Sequence, residues 1–164
     1  MNRFRNGFSA IELLVTLAIV GVLAAVAFPM YKNYLIRSII TEAIDATDPC
    51  KVIISHGFQT RAAMPTDFDQ WGCDEWIATY PYSKYVQNVV TDQYGGIGIL
   101  LRNMPDSNLN LHWVVLTPTD STGTQTPALG TVPYNWVCGN SYQIGSSFVG
   151  QTVPNQYMPA TCRG

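Results

Sequence analysis

The chain of 164 residues is 47% hydrophobic but only 12% charged, against about a quarter charged in ordinary soluble domains, so a single domain's length carries an unusual concentration of apolar residues. An aromatic share of 12% excludes a disordered chain, and nine basic against eleven acidic residues exclude a strongly basic nucleic-acid binder on bulk charge. Neither a G-X-Y period nor a repeat of roughly 20 to 50 residues is present, which removes collagen, solenoid and propeller architectures.

The apolar residues gather near the N-terminus. From Leu13 to Tyr31 there are 19 residues without a formal charge, which as a helix cover about 28 Å, close to the hydrocarbon thickness of a bilayer. An ordinary secretory signal has a shorter apolar stretch followed by a small-residue cleavage site, whereas here Arg3, Arg5 and Gly7 precede the run. Hydropathy alone is equally compatible with a plain signal anchor, and the positive-inside rule is weak because Lys32 and Arg37 lie beyond the other end. Glu12 adds information. A carboxylate drawn into hydrocarbon without a partner costs about 3 kcal/mol, so it needs a cation or the headgroup region. Cleavage after Gly7 creates such a cation, the amino group of Phe8, which a neighbouring helix can present.

The run Arg5-Asn6-Gly7-Phe8-Ser9-Ala10-Ile11-Glu12-Leu13-Leu14 resembles the leader and processing site of type IV prepilins. The resemblance implies cleavage between Gly7 and Phe8 by a prepilin peptidase, methylation of the Phe8 amine, and docking of subunits through a pair between Glu12 and the Phe8 amine of an adjacent copy. Gly21 and Pro29 match pilin positions that bracket a stretch of helix prone to melt in filaments. Pro lacks a helix donor and Gly stabilises helix poorly, so both also suit a simple kink in a membrane helix.

Beyond the run, Ile36, Ile39, Ile40, Ala43 and Ile44 fall at i, i+3, i+4, i+7 and i+8, one apolar stripe whose opposite face carries Arg37, Thr41, Glu42 and Asp45. Thr47-Asp48-Pro49 predicts a kink or restart, with Thr or Asp capping ahead of a last helical stretch to about Gln59. Strands are expected at Tyr85 to Thr91, Ile97 to Arg102, Leu109 to Thr117 and Tyr134 to Cys138, joined as consecutive antiparallel neighbours with Gly95-Gly96 in the first turn. Pro118 to Pro133, rich in Thr, Gly and Pro, reads as a long exposed connection, a contact surface or variable filler.

Cys50, Cys73, Cys138 and Cys162 show no C-x-x-C spacing and neither His56 nor His112 is near them in sequence, so disulfides are expected in place of a metal site. Four cysteines allow three connectivities. The sequence-local one joins Cys50 with Cys73 and Cys138 with Cys162, and the second bridge would contribute roughly 3 kcal/mol by closing its loop. Trp136-Val137-Cys138-Gly139 with Tyr157-Met158-Pro159-Ala160-Thr161-Cys162-Arg163 resembles the disulfide-bounded C-terminal region of type IVa pilins. Cys50-Lys51 with Trp71-Gly72-Cys73-Asp74, and Ser83-Lys84-Tyr85-Val86 with Leu116-Thr117-Pro118, resemble a subset carrying an extra bridge. Pro49 and the terminal Gly164 depart from that pattern.

Other chemistry finds little support in the residues. His56 and His112 adjoin no nucleophile motif. Gly95-Gly96-Ile97-Gly98 has half of a dinucleotide fingerprint, but Leu101 or its neighbours occupy the third glycine position and a βαβ unit is absent, so it reads as a turn. Asp67, Asp69, Asp74 and Glu75 match no EF-hand spacing and read as a solvated acidic loop. Tyr80, Tyr82 and Tyr85 suit packing of the loop on the sheet, and Phe8, Phe28, Tyr31 and Tyr34 suit helix packing in preference to electron conduction.

The resemblance therefore implies an α+β pilin fold, a long N-terminal α-helix packed on a four-stranded antiparallel sheet. It divides the chain into a leader (1–7), an apolar transmembrane and filament-core helix (8–35) and a globular head (36–164). The expected role is a structural, non-enzymatic subunit of a type IV pilus for adhesion, twitching motility or DNA uptake, held in the inner membrane and then polymerised into an extracellular filament. Expected partners are further copies, the prepilin peptidase, an inner-membrane assembly platform with cytoplasmic motor ATPases, an outer-membrane secretin and minor pilins; no cofactor and no metal are expected. The rivals are a minor pilin or type II secretion pseudopilin, and a membrane-anchored ligand- or DNA-binding module. Without Arg3 and Arg5 the balance becomes seven basic against eleven acidic residues, a charge of about −4 that filament packing must manage.

Overall fold

The computed structural model describes residues 8–73, 82–124, 126–139 and 150–162; the readings on Gly7 and the leader, Asp74, Glu75, Tyr80, Arg163 and Gly164 lie outside them. The chain forms two compact units, residues 1–35 and 36–164.

The first unit is helical. Helix α1 spans Ala10–Asp45, and every residue from Phe8 to Tyr31 is exposed. The apolar side chains are distributed around its whole circumference, so the chain itself offers no single face to bury. The helix passes through Gly21 and Pro29 without a break in the single chain.

In the second unit the pattern changes to a stripe. Ile36, Ile39, Ile40, Ala43 and Ile44 are the buried residues of α1. Asp45 ends this helix, and α2 runs Asp48–Thr60 with Pro49 in its first turn, where a missing N–H leaves no bond unmade. The restart falls where Thr47-Asp48-Pro49 predicts it, but Thr47 makes no side-chain cap. Its hydroxyl donates backwards to the Ile44 carbonyl at 2.7 Å, closing the end of α1 instead of opening α2.

Four strands follow, β1 Val86–Thr91, β2 Ile97–Leu101, β3 Trp113–Thr119 and β4 Asn135–Gly139, in the spatial order β1-β2-β3-β4. All neighbours are antiparallel. The register aligns Thr91, Ile97, Leu116 and Cys138 in one row. The parallel row Val89, Ile99 and Val114 lies two positions along, so both rows face the same side. Those side chains, the α1 stripe and Ile54 and Phe58 of α2 form the core.

The third strand begins later than the residue pattern suggests. Ser107–Leu109 is a turn of 3-10 helix whose start is held by the Asp106 carboxylate accepting the Asn108 N–H, and Leu111 has φ 60°. Leu109 is therefore buried without being in a strand. At its other end β3 continues through Pro118 and Thr119. There it has run past β2, which starts at Ile97 opposite Leu116, so the missing proline N–H leaves no β2 carbonyl unmet.

Two approaches depend on glycine. A Cβ on Gly57 would lie 2.8 Å from the Trp71 ring, and one on Gly95, at φ +82°, would lie 2.9 Å from Phe58. Trp71 accordingly packs on Phe58 with ring centroids 4.9 Å apart, under the Arg61 guanidinium at 5.1 Å, and donates its indole N–H to the Asp92 carbonyl at 2.7 Å. The tail closes the unit. Thr152 pairs beside Trp113, Val153 and Met158 are fully buried, and Arg37 donates to the Gln156 carbonyl through Nε at 3.1 Å and Nη2 at 2.7 Å.

Candidate functional site: the helix start and the disulfide-closed head

The start of α1 is built from Ser9 and Glu12. The Glu12 Oε2 accepts the Ser9 backbone N–H at 2.9 Å, and the Ser9 Oγ accepts the Ile11 N–H at 3.4 Å. Ser9 also gives its carbonyl to the Leu13 N–H at 3.2 Å. The glutamate supplies its half of a capping box, while the serine at the N-cap accepts at N2 in place of N3, and together they satisfy donors that the first turn leaves orphaned. The carboxylate also stands where the positive end of the helix dipole favours an anion. The S-x-x-E spacing is the signal for it, but the charge of Glu12 points first to pairing between copies, a reading that gives Ser9 no role. Phe8, immediately before the box, is 73% exposed.

Two bridges restrain the head. Cys50 joins Cys73 with Cα atoms 5.2 Å apart, tying the first turn of α2 to the loop after it, and Cys138 joins Cys162 at 4.7 Å, tying β4 to the tail. Both are the sequence-local pairs.

The remaining candidates occupy separate places. His112 Nδ1 lies 3.2 Å from the Asn110 carbonyl, and His56 is on the exposed side of α2. Gly95-Gly96 closes a turn in which the Asp92 Oδ1 accepts the N–H groups of Tyr94 and Gly96 at 2.9 and 2.7 Å. Asp69 Oδ1 accepts the Thr91 N–H at 3.1 Å, tying the loop to the end of β1, and Asp67 Oδ1 accepts the Phe68 N–H at 2.8 Å within the loop. Tyr82 donates its hydroxyl to the Ala46 carbonyl at 3.2 Å, across the helix junction. Lys84 sits over the Tyr85 ring at 4.8 Å, and hydrogen bonding with the Tyr85 side chain raises its ammonium above the ordinary lysine value. Among the described residues no three His, Cys, Asp or Glu side chains are grouped to hold a metal ion.

An apolar helical stem with one capping acid at its start, and an α+β head closed by two disulfides, define a class of chain that buries its apolar residues in the head and exposes them along the stem. Comparison with known proteins gives the family. The model for pilins of bacterial filaments matches residues 36–163, and that for the prokaryotic N-terminal methylation motif matches residues 2–28. The chain belongs to the pilin family. Among its relatives, the fimbrial protein EcpC of Eikenella corrodens is 27% identical over 99% of this chain and 94% of its own length. The type IV major pilin PilE of Neisseria gonorrhoeae is 33% identical over 67% of this chain and 62% of its own. The type IV major fimbrial protein FimA of Dichelobacter nodosus is 38% identical over 56% of each. The chain thus matches nearly the whole of the first relative and a little over half of the other two.

Proposed function

We propose that this chain is a major structural subunit of a type IV pilus, processed between Gly7 and Phe8 and assembled through its helical stem. The observation that carries the reading is the stem itself: α1 is long and apolar enough to cross a membrane, and its apolar segment is wholly exposed in the single chain. Such a surface is satisfied by lipid before assembly and by other copies afterwards, where many equivalent apolar contacts add to a strong polymer. Methylation of the Phe8 amine and its pairing with Glu12 of the next copy supply register, because only one acid is available at that end of the stem. For this pairing the Glu12 carboxylate either leaves the Ser9 N–H or shares an oxygen with it. Gly21 and Pro29 give the stem its weakest helical hydrogen bonding and are the expected place for local melting on assembly.

The working division is a leader over 1–7, a stem over 8–35 and a head over 36–164. The prepilin peptidase acts on the membrane-held precursor, and the platform, motor, secretin and minor pilins act on the mature subunit. The role is structural, carried by packing and not by catalysis.

Mass spectrometry of fibres sheared from the native host tests this reading. The expected subunit begins at N-methylated Phe8, and a Gly7→Ala chain remains unprocessed in the membrane and forms no fibres. Fibres whose subunit retains the first seven residues, or normal fibres from Gly7→Ala, would overturn the assignment.

A further inference from the structure

The long β3–β4 connection has no part in the stem-driven assembly above, yet it encloses an open cup of about 350 Å³ lined by Asp120, Ser121, Thr126, Thr131, Val132 and Tyr134 among others. Ligand clefts span roughly 300–1,000 Å³, so this one suits a small ligand. Its lining is mixed. Tyr134 is 76% exposed, the most exposed of the large apolar side chains described in the globular unit, and Val132 beside it is 58% exposed. The other side chains bring three hydroxyls and a carboxylate.

The cup is also well framed. The Tyr134 N–H donates to the Thr119 carbonyl at 2.8 Å, fixing the ring's backbone at the entry to β4. The Gly130 N–H donates to the Phe58 carbonyl at 2.8 Å, anchoring the middle of the connection to α2, and the Thr131 hydroxyl donates to the Ala128 carbonyl at 2.6 Å. The Asp120 Oδ1 accepts the Thr122 N–H at 3.0 Å and its hydroxyl at 2.6 Å, which orients the carboxylate. A loop held in this way loses little entropy on binding.

We propose that this cup is a binding site for a neutral carbohydrate. An exposed aromatic ring offers an apolar face to the C–H side of a pyranose, while the hydroxyls and the carboxylate exchange hydrogen bonds with sugar hydroxyls around its edge. A purely apolar ligand would strip water from Asp120 without replacing its hydrogen bonds, and an anionic one would meet its charge. Both features favour a neutral polyol with one apolar face. The proposal concerns the globular unit alone and does not depend on assembly.

Saturation-transfer NMR tests it, with the full-length chain in a detergent lacking sugar headgroups and a panel of neutral mono- and disaccharides covering gluco, galacto and N-acetylated rings. 3′-Sialyllactose serves as the anionic comparison. Transfer to neutral sugars is expected, weakened about tenfold by Tyr134→Ala and retained by Tyr134→Phe, which keeps the ring. Asp120→Asn keeps an oxygen for Thr122 and removes the charge; it should weaken binding severalfold while circular dichroism and thermal unfolding stay unchanged. No transfer to any neutral sugar, or equal transfer with Tyr134→Ala, overturns the proposal. Loss of filament yield in Tyr134→Ala with no sugar signal from the dispersed chain also overturns it and makes the patch a contact between copies.

Discussion

The stem and the head solve the same problem in opposite ways. In the head, α1 presents apolar residues on one stripe, and Ile36, Ile40 and Ile54 are fully buried against a sheet from the same chain. In the stem, apolar residues continue around the helix and all of residues 8–31 are exposed. A stripe finds its partner within the fold, whereas an all-round apolar surface requires another medium or another copy. One helix thus changes its partner between Leu35 and Ile36, and the angular spread of apolar residues marks where this happens.

The sharpest separation of the two regions is a pair of truncations. Ile40→Ala opens a cavity in the head core and should destabilise the head by about 2–5 kcal/mol. Leu23→Ala, on the stem, should leave head unfolding unchanged within about 0.5 kcal/mol. Tryptophan fluorescence during denaturant unfolding of the detergent-held chain reads this directly, because Trp71, Trp76, Trp113 and Trp136 all lie beyond the stem. Equal effects would show that the two regions unfold as one body.

The next test concerns how the head secures its tail. Cys138→Ser combined with Cys162→Ser should lower head stability by about 3 kcal/mol and expose the last residues to limited proteolysis, since the tail is then held, among the described residues, by the Arg37 clamp on Gln156 and the backbone bonds of Trp113 with Gln151 and Val153 and by packing. A stable, protease-resistant tail in the double variant would assign that role to Val153 and Met158 packing instead.

The smallest effect separates the capping contact seen at Glu12 from the docking proposed for it. Ser9→Ala should weaken the first turn of α1 by about 1 kcal/mol, seen as faster amide exchange at Ile11, with fibre yield little changed. Glu12→Gln retains an acceptor for the Ser9 N–H but loses the charge, so the helix start should persist while incorporation into fibres falls steeply. Full incorporation of Glu12→Gln would make capping, and not charge pairing, the contribution of this residue.

Much of this contrast between stem and head is legible in the amino-acid sequence. The Ile36–Ile44 stripe, the restart at Pro49, four strands in consecutive order and the two disulfide pairs all follow local pattern or family resemblance. What local pattern misses has common physical causes. Leu109 to His112 has the composition of a strand, but the Asp106 cap and the left-handed Leu111 turn it into an elbow that buries Leu109 and exposes Leu111. The pairing of Thr152 with Trp113 and the clamp of Arg37 on Gln156 link residues far apart in the chain, and no periodicity announces such contacts. The role of Ser9 is visible only when Glu12 is treated as a backbone acceptor.

The Cys138–Cys162 bridge has a mechanical consequence. A subunit pulled from its ends can lengthen only by releasing slack, and the bridge removes the intervening residues from the load path. With a sequence separation of 24, that withholds roughly 80 Å of contour length at about 3.5 Å per residue. Tension reaching the tail therefore meets a covalent stop at β4, and because the Cys50–Cys73 bridge likewise shields nearly all of α2, extension of the head has to come from peeling its sheet or unwinding α1.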